Sequence, residues 1–360
     1  MDFTKIDKNM KVETKIERDG LTFYDIDEAP VNIHGVFREG DRYVRMPRDF
    51  AESINDSIRW LNGHTSGGRI RFITDSPYIA LKLQIGGQSK FSFFSVTGIM
   101  GCDVYSGKQY YGTIIPPLDT TAEYENVVDI PDPCEREYTI NMPIYSCVYK
   151  IYLGIKEGST LKPADDYKIT KPIVFYGSSI TQGGCASRPG STYPAQISRA
   201  LDCDFINLGF AGSAKGEEEV ARYIATLDMT AFCYDYDHNA NSLKEYKETH
   251  EKFFKIIRAA QPELPIIMTT RPKKHLTYDE KERINVMMQT YQNAIAAGDK
   301  NVYYIKGCDL LEDLVAEVSL IENCHPNDCG FASMARVYSK KLKEILSKNK
   351  STDYPWLSLL

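Results

Sequence analysis

Beyond residue 170 the sequence alternates short apolar runs with one-sided helical segments, and this rhythm limits the C-terminal half to one kind of architecture. Strands are expected near residues 172–176, 203–208, 230–235, 265–270 and 301–306. Helices are expected near 191–201, 216–227, 242–260, 279–297 and 328–348. In the last of these Phe331, Met334, Ala335, Tyr338, Leu342 and Ile345 recur at spacings of three and four, so they share one face. Strands joined through crossover helices lie parallel. Five of them predict a flavodoxin-like three-layer α/β/α domain.

The preceding stretch, from about residue 20 to 155, follows another rhythm. Gly68–Thr74, Tyr78–Ile85, Phe91–Val96 and Ser146–Leu153 show period-two or β-branched and aromatic character between Gly, Pro, Asn and Asp. That pattern predicts an antiparallel β-sandwich, jelly-roll-like in form. One amphipathic segment, Phe50–Leu61, is expected as a short helix packed on it. The polar stretch Glu157–Lys171, with Gly158 and Pro163, reads as the linker between an N-terminal domain over 1–165 and the α/β domain over 166–360. A chain of 360 residues is long for one core, which also predicts two domains.

Charge and cysteine usage exclude several function classes. The 43 basic and 49 acidic residues give a net charge of −6, and no basic cluster is long enough to follow a phosphate backbone, so nucleic acid is not an expected partner. The first eight residues lack the apolar core of a signal peptide. No stretch approaches the roughly 18 apolar residues of a membrane span. Nine cysteines, an odd count without paired Cys-x-x-Cys units, disfavour disulfides and structural zinc. A cytoplasmic protein is expected.

Four segments carry groups able to do chemistry. In Ile173-Val-Phe-Tyr-Gly-Ser-Ser-Ile-Thr-Gln-Gly-Gly184 an apolar strand stops in two serines, Ser178 and Ser179, and a turn. A hydroxyl projecting from such a turn, with backbone N–H groups around it, is the geometry of an activated nucleophile. Thr181 stands where a Gly-x-Ser-x-Gly elbow would have glycine, and the Lys-Ser/Thr ending of a phosphate-binding loop is absent. Asn207-Leu-Gly-Phe-Ala-Gly-Ser213 sets small residues after the second strand, where a glycine N–H can approach an oxyanion. The third strand ends in Tyr234-Asp-Tyr-Asp-His-Asn239, a polar run that needs partners or a task. Glu322-Asn-Cys-His-Pro-Asn-Asp328 delivers a histidine, with a carboxylate three residues before it, just ahead of the final helix. A general-base histidine needs its second nitrogen held in one tautomer, which a carboxylate can do. Of the other histidines, His250 and His275 are expected on the solvated surface, His34 and His64 belong to the β region, and His238 competes with His325.

Taken in order, these segments resemble the blocks of the SGNH, or GDSL-like, hydrolase superfamily over roughly residues 171–348. Gly177-Ser-Ser179-Ile-Thr resembles the first block, with Ser178 where aspartate is usual and Ser179 as the implied nucleophile. Asn207–Gly212 resembles the glycine block, with Gly212 as the implied oxyanion donor. Asn239 resembles the asparagine donor, preceded by His238 where glycine is usual. His325-Pro326-Asn327-Asp328 resembles the closing block, but Glu322 stands where the family carries aspartate. Gly101-Cys-Asp-Val-Tyr105 is similar to the Gly-x-Asp-Leu-Tyr motif of a β-domain that precedes some of these hydrolases, and Gly183–Gly190 fits the same subset.

The resemblance implies a two-domain bacterial serine esterase that needs no metal or organic cofactor. Ser179 would attack the ester carbonyl, His325 would take its proton, and Glu322 or a backbone carbonyl would orient the imidazole. The N–H groups of Ser179 and Gly212 and the amide of Asn239 would form the oxyanion hole. Arg188, Tyr193, Lys215, Asp237 and His238 near the expected pocket favour a small polar ester, an acetylated sugar or oligosaccharide, with Arg188, Asp237 and His238 as expected substrate contacts. Trp60 and Trp356 are isolated, so no aromatic row marks a glycan-binding face, and the N-terminal domain is left to wall the pocket or to support a homo-oligomer. Two rival readings stand beside this one. One is a metal-dependent phosphatase built on Asp235 and Asp237; the other is a carbohydrate-binding protein whose hydrolase domain has lost its activity.

Overall fold

The computed structural model describes residues 15–348, so the N-terminal residues read for a signal peptide and Trp356 lie outside the described part. The chain packs as two compact units, and neither is one unbroken stretch. Among the described residues the first comprises 15–44, 63–165 and 187–190; the second comprises 45–62, 166–186 and 191–348.

The first unit is antiparallel β structure. One sheet runs in the order Leu21–Asp25, Cys147–Lys156, Tyr78–Gly86, Glu123–Asp129. The other runs Lys162–Pro163, Arg69–Thr74, Arg136–Asn141, Cys102–Ser106, Gln109–Ile114, with Asn32–His34 also paired to Arg69–Thr74. Alternate residues Ile79, Leu81, Leu83 and Ile85 are buried, as a sandwich requires. Phe91–Val96 is not the expected strand. Phe94 N–H returns to the Phe91 carbonyl in a turn, and the rings of Phe91 and Phe94 gather on Tyr145 instead of alternating across a sheet.

In the second unit five strands lie in the order Cys203–Gly209, Ile169–Gly177, Ala231–Asp235, Ile266–Thr269, Val302–Ile305, and every pairing is parallel. Numbered along the chain this is 2-1-3-4-5, the flavodoxin-like order expected. Ile173, Val174, Phe175 and Tyr176 are all buried, because helices cover both faces of the first strand. Phe175 meets Tyr193 edge-on at 5.5 Å, while Tyr176 stacks on Phe253 at 4.8 Å. The helices Tyr193–Leu201, Glu218–Thr226, Leu243–Ala260, Tyr278–Ala296 and Asp328–Lys348 follow the strands. Among the described residues no helix is long and apolar enough to cross a membrane.

Two expectations are corrected here. The Phe50–Leu61 segment is helical, as Arg48–Ile54 and Asp56–Asn62, but Met46, Ala51, Ile58 and Leu61 join the core of the α/β unit beside Val174, Leu208 and Val220, not the β-sandwich. His250 is buried, not solvated. Its Nδ1 lies 2.8 Å from Thr290 Oγ1, and Tyr234, Tyr236 and Tyr246 surround its ring. The reason is helical phase, since Tyr246, His250, Phe253 and Ile257 share the face that Leu243–Ala260 turns to the core.

Candidate active site

In a 2-1-3 arrangement the first strand is flanked by connections leaving in opposite directions, and ligands gather at the carboxyl ends of such strands. Those ends hold the serine turn after Gly177, the glycine segment after Gly209 and the polar run from Asp235.

The local geometry separates the two serines. Ser178 is buried and caps the short helix Ser179–Gln182, its Oγ accepting the Ile180 N–H at 3.2 Å. Ser179 opens that helix with its hydroxyl turned outward, and its Oγ lies 2.7 Å from His325 Nε2. Gly177 has to be glycine, because a Cβ there would collide with the Asp235 carboxylate and carbonyl and with the Thr181 hydroxyl. Burial raises the Asp235 carboxyl to about 8, against the Thr181 hydroxyl bond at 2.7 Å and the Ser178 backbone, which favour its charge. At neutral pH it is mainly a neutral acid supporting the turn.

The glycine segment is tied to the same helix. Asn207 Nδ2 donates to the Thr181 carbonyl at 2.8 Å, and Ala211 N–H donates to Gln182 Oε1 at 3.0 Å. Gly212 is exposed with φ +69°, the left-handed region that glycine enters without strain. Behind the segment Arg45, only 2% exposed, donates to the carbonyls of Asn207 at 3.1 Å and Gly209 at 2.6 Å, and its guanidinium covers the Phe210 ring at 4.6 Å. Sequence reasoning missed Arg45. It sits 162 positions before Asn207, and nothing local marks it.

Asn239 reaches the glycine segment too, its Nδ2 donating to the Phe210 carbonyl at 3.2 Å. Its neighbours divide. Asp237 is sealed in the structure: Arg271 N–H and Nε donate to its carboxylate at 3.0 and 2.8 Å, and Arg283 donates to its carbonyl at 2.6 Å. Burial by itself would raise the Asp237 carboxyl, but His238 and Arg271 hold it below the ordinary carboxylate range. Asp237 is thus an internal counter-ion, which corrects its expected place among substrate contacts. Burial lowers the His238 pKa; Asp237 opposes this, and Arg271 and the nearby His325 add to it, so His238 is a neutral ring beside the candidate histidine.

His325 is held by its own turn. Leu320 bridges Pro326, Ile321 N–H donates to the His325 carbonyl at 2.9 Å, and Asn327 Oδ1 accepts the Gly330 N–H at 3.1 Å in the first turn of the last helix. Glu322 Oε1 accepts the His325 backbone N–H at 3.0 Å and makes a short hydrogen bond with Nδ1. The carboxylate, not a backbone carbonyl, partners the imidazole. Serine, histidine and glutamate form one continuous line of contacts.

The remaining candidates are each engaged by neighbouring side chains of their own unit. Tyr193 is a core residue, its hydroxyl 3.1 Å from Thr181 Oγ1 and its ring stacked on Tyr338. Lys215 Nζ donates to Asn241 at 3.0 Å. Arg188 belongs to the β unit, where it donates to Asp103 at 3.0 Å and lies 4.1 Å over the Tyr110 ring. Asp103, wholly buried, also accepts Gly190 N–H and Asn141 Nδ2, each at 2.8 Å. The Asp of the Gly-x-Asp-Val-Tyr pentapeptide thereby holds the Arg-Pro-Gly run of 188–190, and the two motifs noted in the sequence are one piece of structure. Asp235 and Asp237 turn to Thr181 and Arg271 respectively, so the carboxylate pair of the phosphatase reading does not form.

Comparisons with known proteins identify the family of each part of the chain. Residues 170–343 match the GDSL-like lipase/acylhydrolase family, and residues 21–161 match the GxDLY domain, the N-terminus of SGNH-hydrolase-type esterases. A crystal structure described as a GDSL-like lipase from Bacteroides ovatus ATCC 8483 superposes with a TM-score of 0.81 at 28% identity, covering 91% of this chain and 98% of that one. A salicylyl-acyltransferase from a tetracycline biosynthetic pathway gives 0.74 at 20% identity over 94% and 99% of the two chains. An acetyl xylan esterase from the rumen bacterium Butyrivibrio proteoclasticus gives 0.57 at 13% identity over 92% and 100%. No curated protein matches the chain. The chain belongs to the GDSL-like lipase/acylhydrolase family, in the two-domain form that carries an N-terminal GxDLY domain, and is an ester hydrolase.

Proposed function

We propose that this chain is a serine esterase that removes small acyl groups, acetyl above all, from carbohydrate, with Ser179 as nucleophile, His325 as general base and Glu322 as the acid behind the histidine. The observation that carries this reading is the 2.7 Å contact between Ser179 Oγ and His325 Nε2, with Glu322 on the opposite ring nitrogen. Donation of the Nδ1–H to Glu322 leaves the Nε2 lone pair facing the hydroxyl, which is the tautomer a general base needs. As Oγ attacks the acyl carbon its proton passes to Nε2, and the resulting imidazolium is stabilised by the carboxylate. The negative oxygen of the tetrahedral intermediate would receive the N–H groups of Ser179 and Gly212 and the amide of Asn239. Each such donor typically contributes about 10²- to 10³-fold in rate. The imidazolium then protonates the departing sugar oxygen, and the same histidine activates the water that releases the acyl group.

The carbohydrate preference is supported by neighbours of the same fold, among them the acetyl xylan esterase and a family two carbohydrate esterase from Clostridium thermocellum in complex with cellohexaose. Nine free thiols fit a reducing compartment such as the cytoplasm. The contact of Ser179 with His325 favours an active enzyme over a binding protein with a lapsed site. Turnover of p-nitrophenyl acetate and a panel of acetylated sugars tests the reading: Ser179→Ala is expected to fall to the background rate, and mass spectrometry is expected to find the acyl adduct on Ser179. Full activity in Ser179→Ala would remove the assignment.

A further inference from the structure

The loop that delivers His325 carries a second chemical possibility, unrelated to ester hydrolysis. Within Glu322-Asn-Cys-His325 a carboxylate oxygen, the Cys324 sulfur and an imidazole nitrogen all lie within 4.8 Å of one another. The backbone accounts for their convergence. Asn323 has φ +66°, a left-handed conformation that asparagine tolerates, so the chain doubles back between Ile321 and His325 and keeps the three side chains together. Cys324 and His325 are half-buried and Glu322 is exposed, leaving an open side for a ligand to arrive. Cys185 stands close by: its thiol, pushed up first by burial, also feels Glu322 and Cys324.

We propose that Glu322, Cys324 and His325 form a binding site for a borderline-soft divalent cation, zinc above all, and that occupancy switches the Ser179–His325 pair off. The donor set suits zinc, which takes thiolate sulfur at about 2.3 Å, imidazole nitrogen at about 2.0–2.1 Å and carboxylate oxygen at about 2.0–2.2 Å. Tetrahedral ligands at those distances stand about 3.5 Å apart, so Glu322 has to swing away from its short hydrogen bond with Nδ1 to make room for the cation, while no pair of ligand atoms starts more than 4.8 Å apart. Water takes the fourth position. One oxygen, one sulfur and one nitrogen discriminate against calcium and magnesium, which prefer all-oxygen shells.

The switch follows from imidazole chemistry. With Nε2 engaged by Ser179, the nitrogen within reach of Glu322 is Nδ1, and coordination there displaces the Nδ1 proton. The ring then carries its proton on Nε2, where no lone pair remains to accept the Ser179 proton. Cys324 loses its thiol proton to solvent, so one proton is released per cation bound, and no redox step is involved. Glu322 at the same time leaves the histidine for the cation. The inhibitory consequence rests on the Ser–His reading above, whereas the site itself does not.

Cobalt(II) and zinc test the two parts separately on the full chain. Titration with Co²⁺ is expected to give a one-to-one complex with near-ultraviolet thiolate-to-cobalt charge-transfer absorption. Cys324→Ser should remove that absorption, while Cys329→Ser, which alters an exposed thiol on the final helix, should leave it intact. Zinc is expected to inhibit p-nitrophenyl acetate turnover reversibly, with EDTA restoring the rate. Loss of outer-shell partners alone costs metal sites about 10- to 100-fold in affinity, so Cys324→Ser should raise the inhibitory zinc concentration at least about 100-fold while keeping its metal-free turnover. Charge-transfer absorption that persists in Cys324→Ser, or zinc inhibition of that variant at the wild-type concentration, would overturn the proposal. If the protein turned over no ester at all, the cobalt titration would still decide whether the site exists.

Discussion

Glu322 is one methylene longer than the aspartate expected three residues before the histidine, and the turn absorbs that length. Its carboxylate folds back far enough to take the backbone N–H of His325 as well as Nδ1. The side chain therefore fixes both the ring and the peptide that carries it. Removing an equivalent carboxylate from a serine–histidine pair costs up to about 10⁴-fold in kcat through loss of the correct tautomer, and Glu322→Ala is expected to lose about 10²- to 10⁴-fold in kcat with little change in KM. Glu322→Asp should also fall short, because the shorter chain cannot satisfy both donors from this turn. Steady-state kinetics on p-nitrophenyl acetate decides this, and near wild-type kcat in Glu322→Ala would show that the carboxylate is dispensable. Ser179 and His325 were legible because each is announced by its own short segment. Asp237 and Tyr193 were not. A polar group at a strand end looks the same in sequence whether it faces substrate or an arginine 34 positions later, and only the fold brings Arg271 to Asp237.

Among elements, the five strands and their helices could be read directly because apolar periodicity is a local property. What escaped was the use of distant segments as braces. Arg45 is the clearest case, a buried cation whose hydrogen bonds go to carbonyls of the glycine segment and of Leu61, the latter at 2.5 Å. Hydrogen bonds to charged groups contribute about 1.5–3 kcal/mol each, and carbonyls left without a donor add a desolvation cost. Arg45→Met is expected to lower the unfolding free energy by about 3 kcal/mol or more and to reduce kcat as the segment holding Gly212 loosens. Urea unfolding beside kinetics reads both, and an unchanged midpoint would contradict the bracing role. The Phe91–Val96 segment failed for a complementary reason: its aromatic alternation imitates a strand, but nothing in the local pattern says that the rings prefer one another and Tyr145.

On the scale of the whole molecule two buried groups set opposite limits on pH stability. The Asp235 carboxyl titrates near 8 in the fold against 3.8 ordinarily, so the folded state holds the proton more tightly. Its contribution is complete below the ordinary value and is lost as pH rises through about 8. His250 runs the other way, lowered by burial from 6.5 to about 3, so stability present above 6.5 is lost as pH falls toward 3. Asp235→Asn is expected to remove the decline between about pH 4 and 8 and so to leave the rise that His250 gives below 6.5 unopposed, as measured by urea midpoints from pH 4 to 9; an unaltered slope between pH 4 and 8 would exclude Asp235 as its source. Packing makes a second prediction. A fragment beginning at Asp166 lacks Met46, Ala51, Ile58 and Leu61 from its core, and Arg45 as well, so it should show no cooperative unfolding transition. A fragment that unfolds as sharply as the full chain would show these residues to be dispensable.

The helices at 48–62 also have a history in time. They leave the ribosome before the residues they pack against, from Val174 through Ile257 and beyond, are made. Chains grow at about 5–20 residues per second, so some 200 residues correspond to a wait of roughly 10–40 s with an apolar face unsatisfied. During that interval the nascent chain is a substrate for chaperones, and the speed at which its middle third is translated bears directly on the yield of folded enzyme.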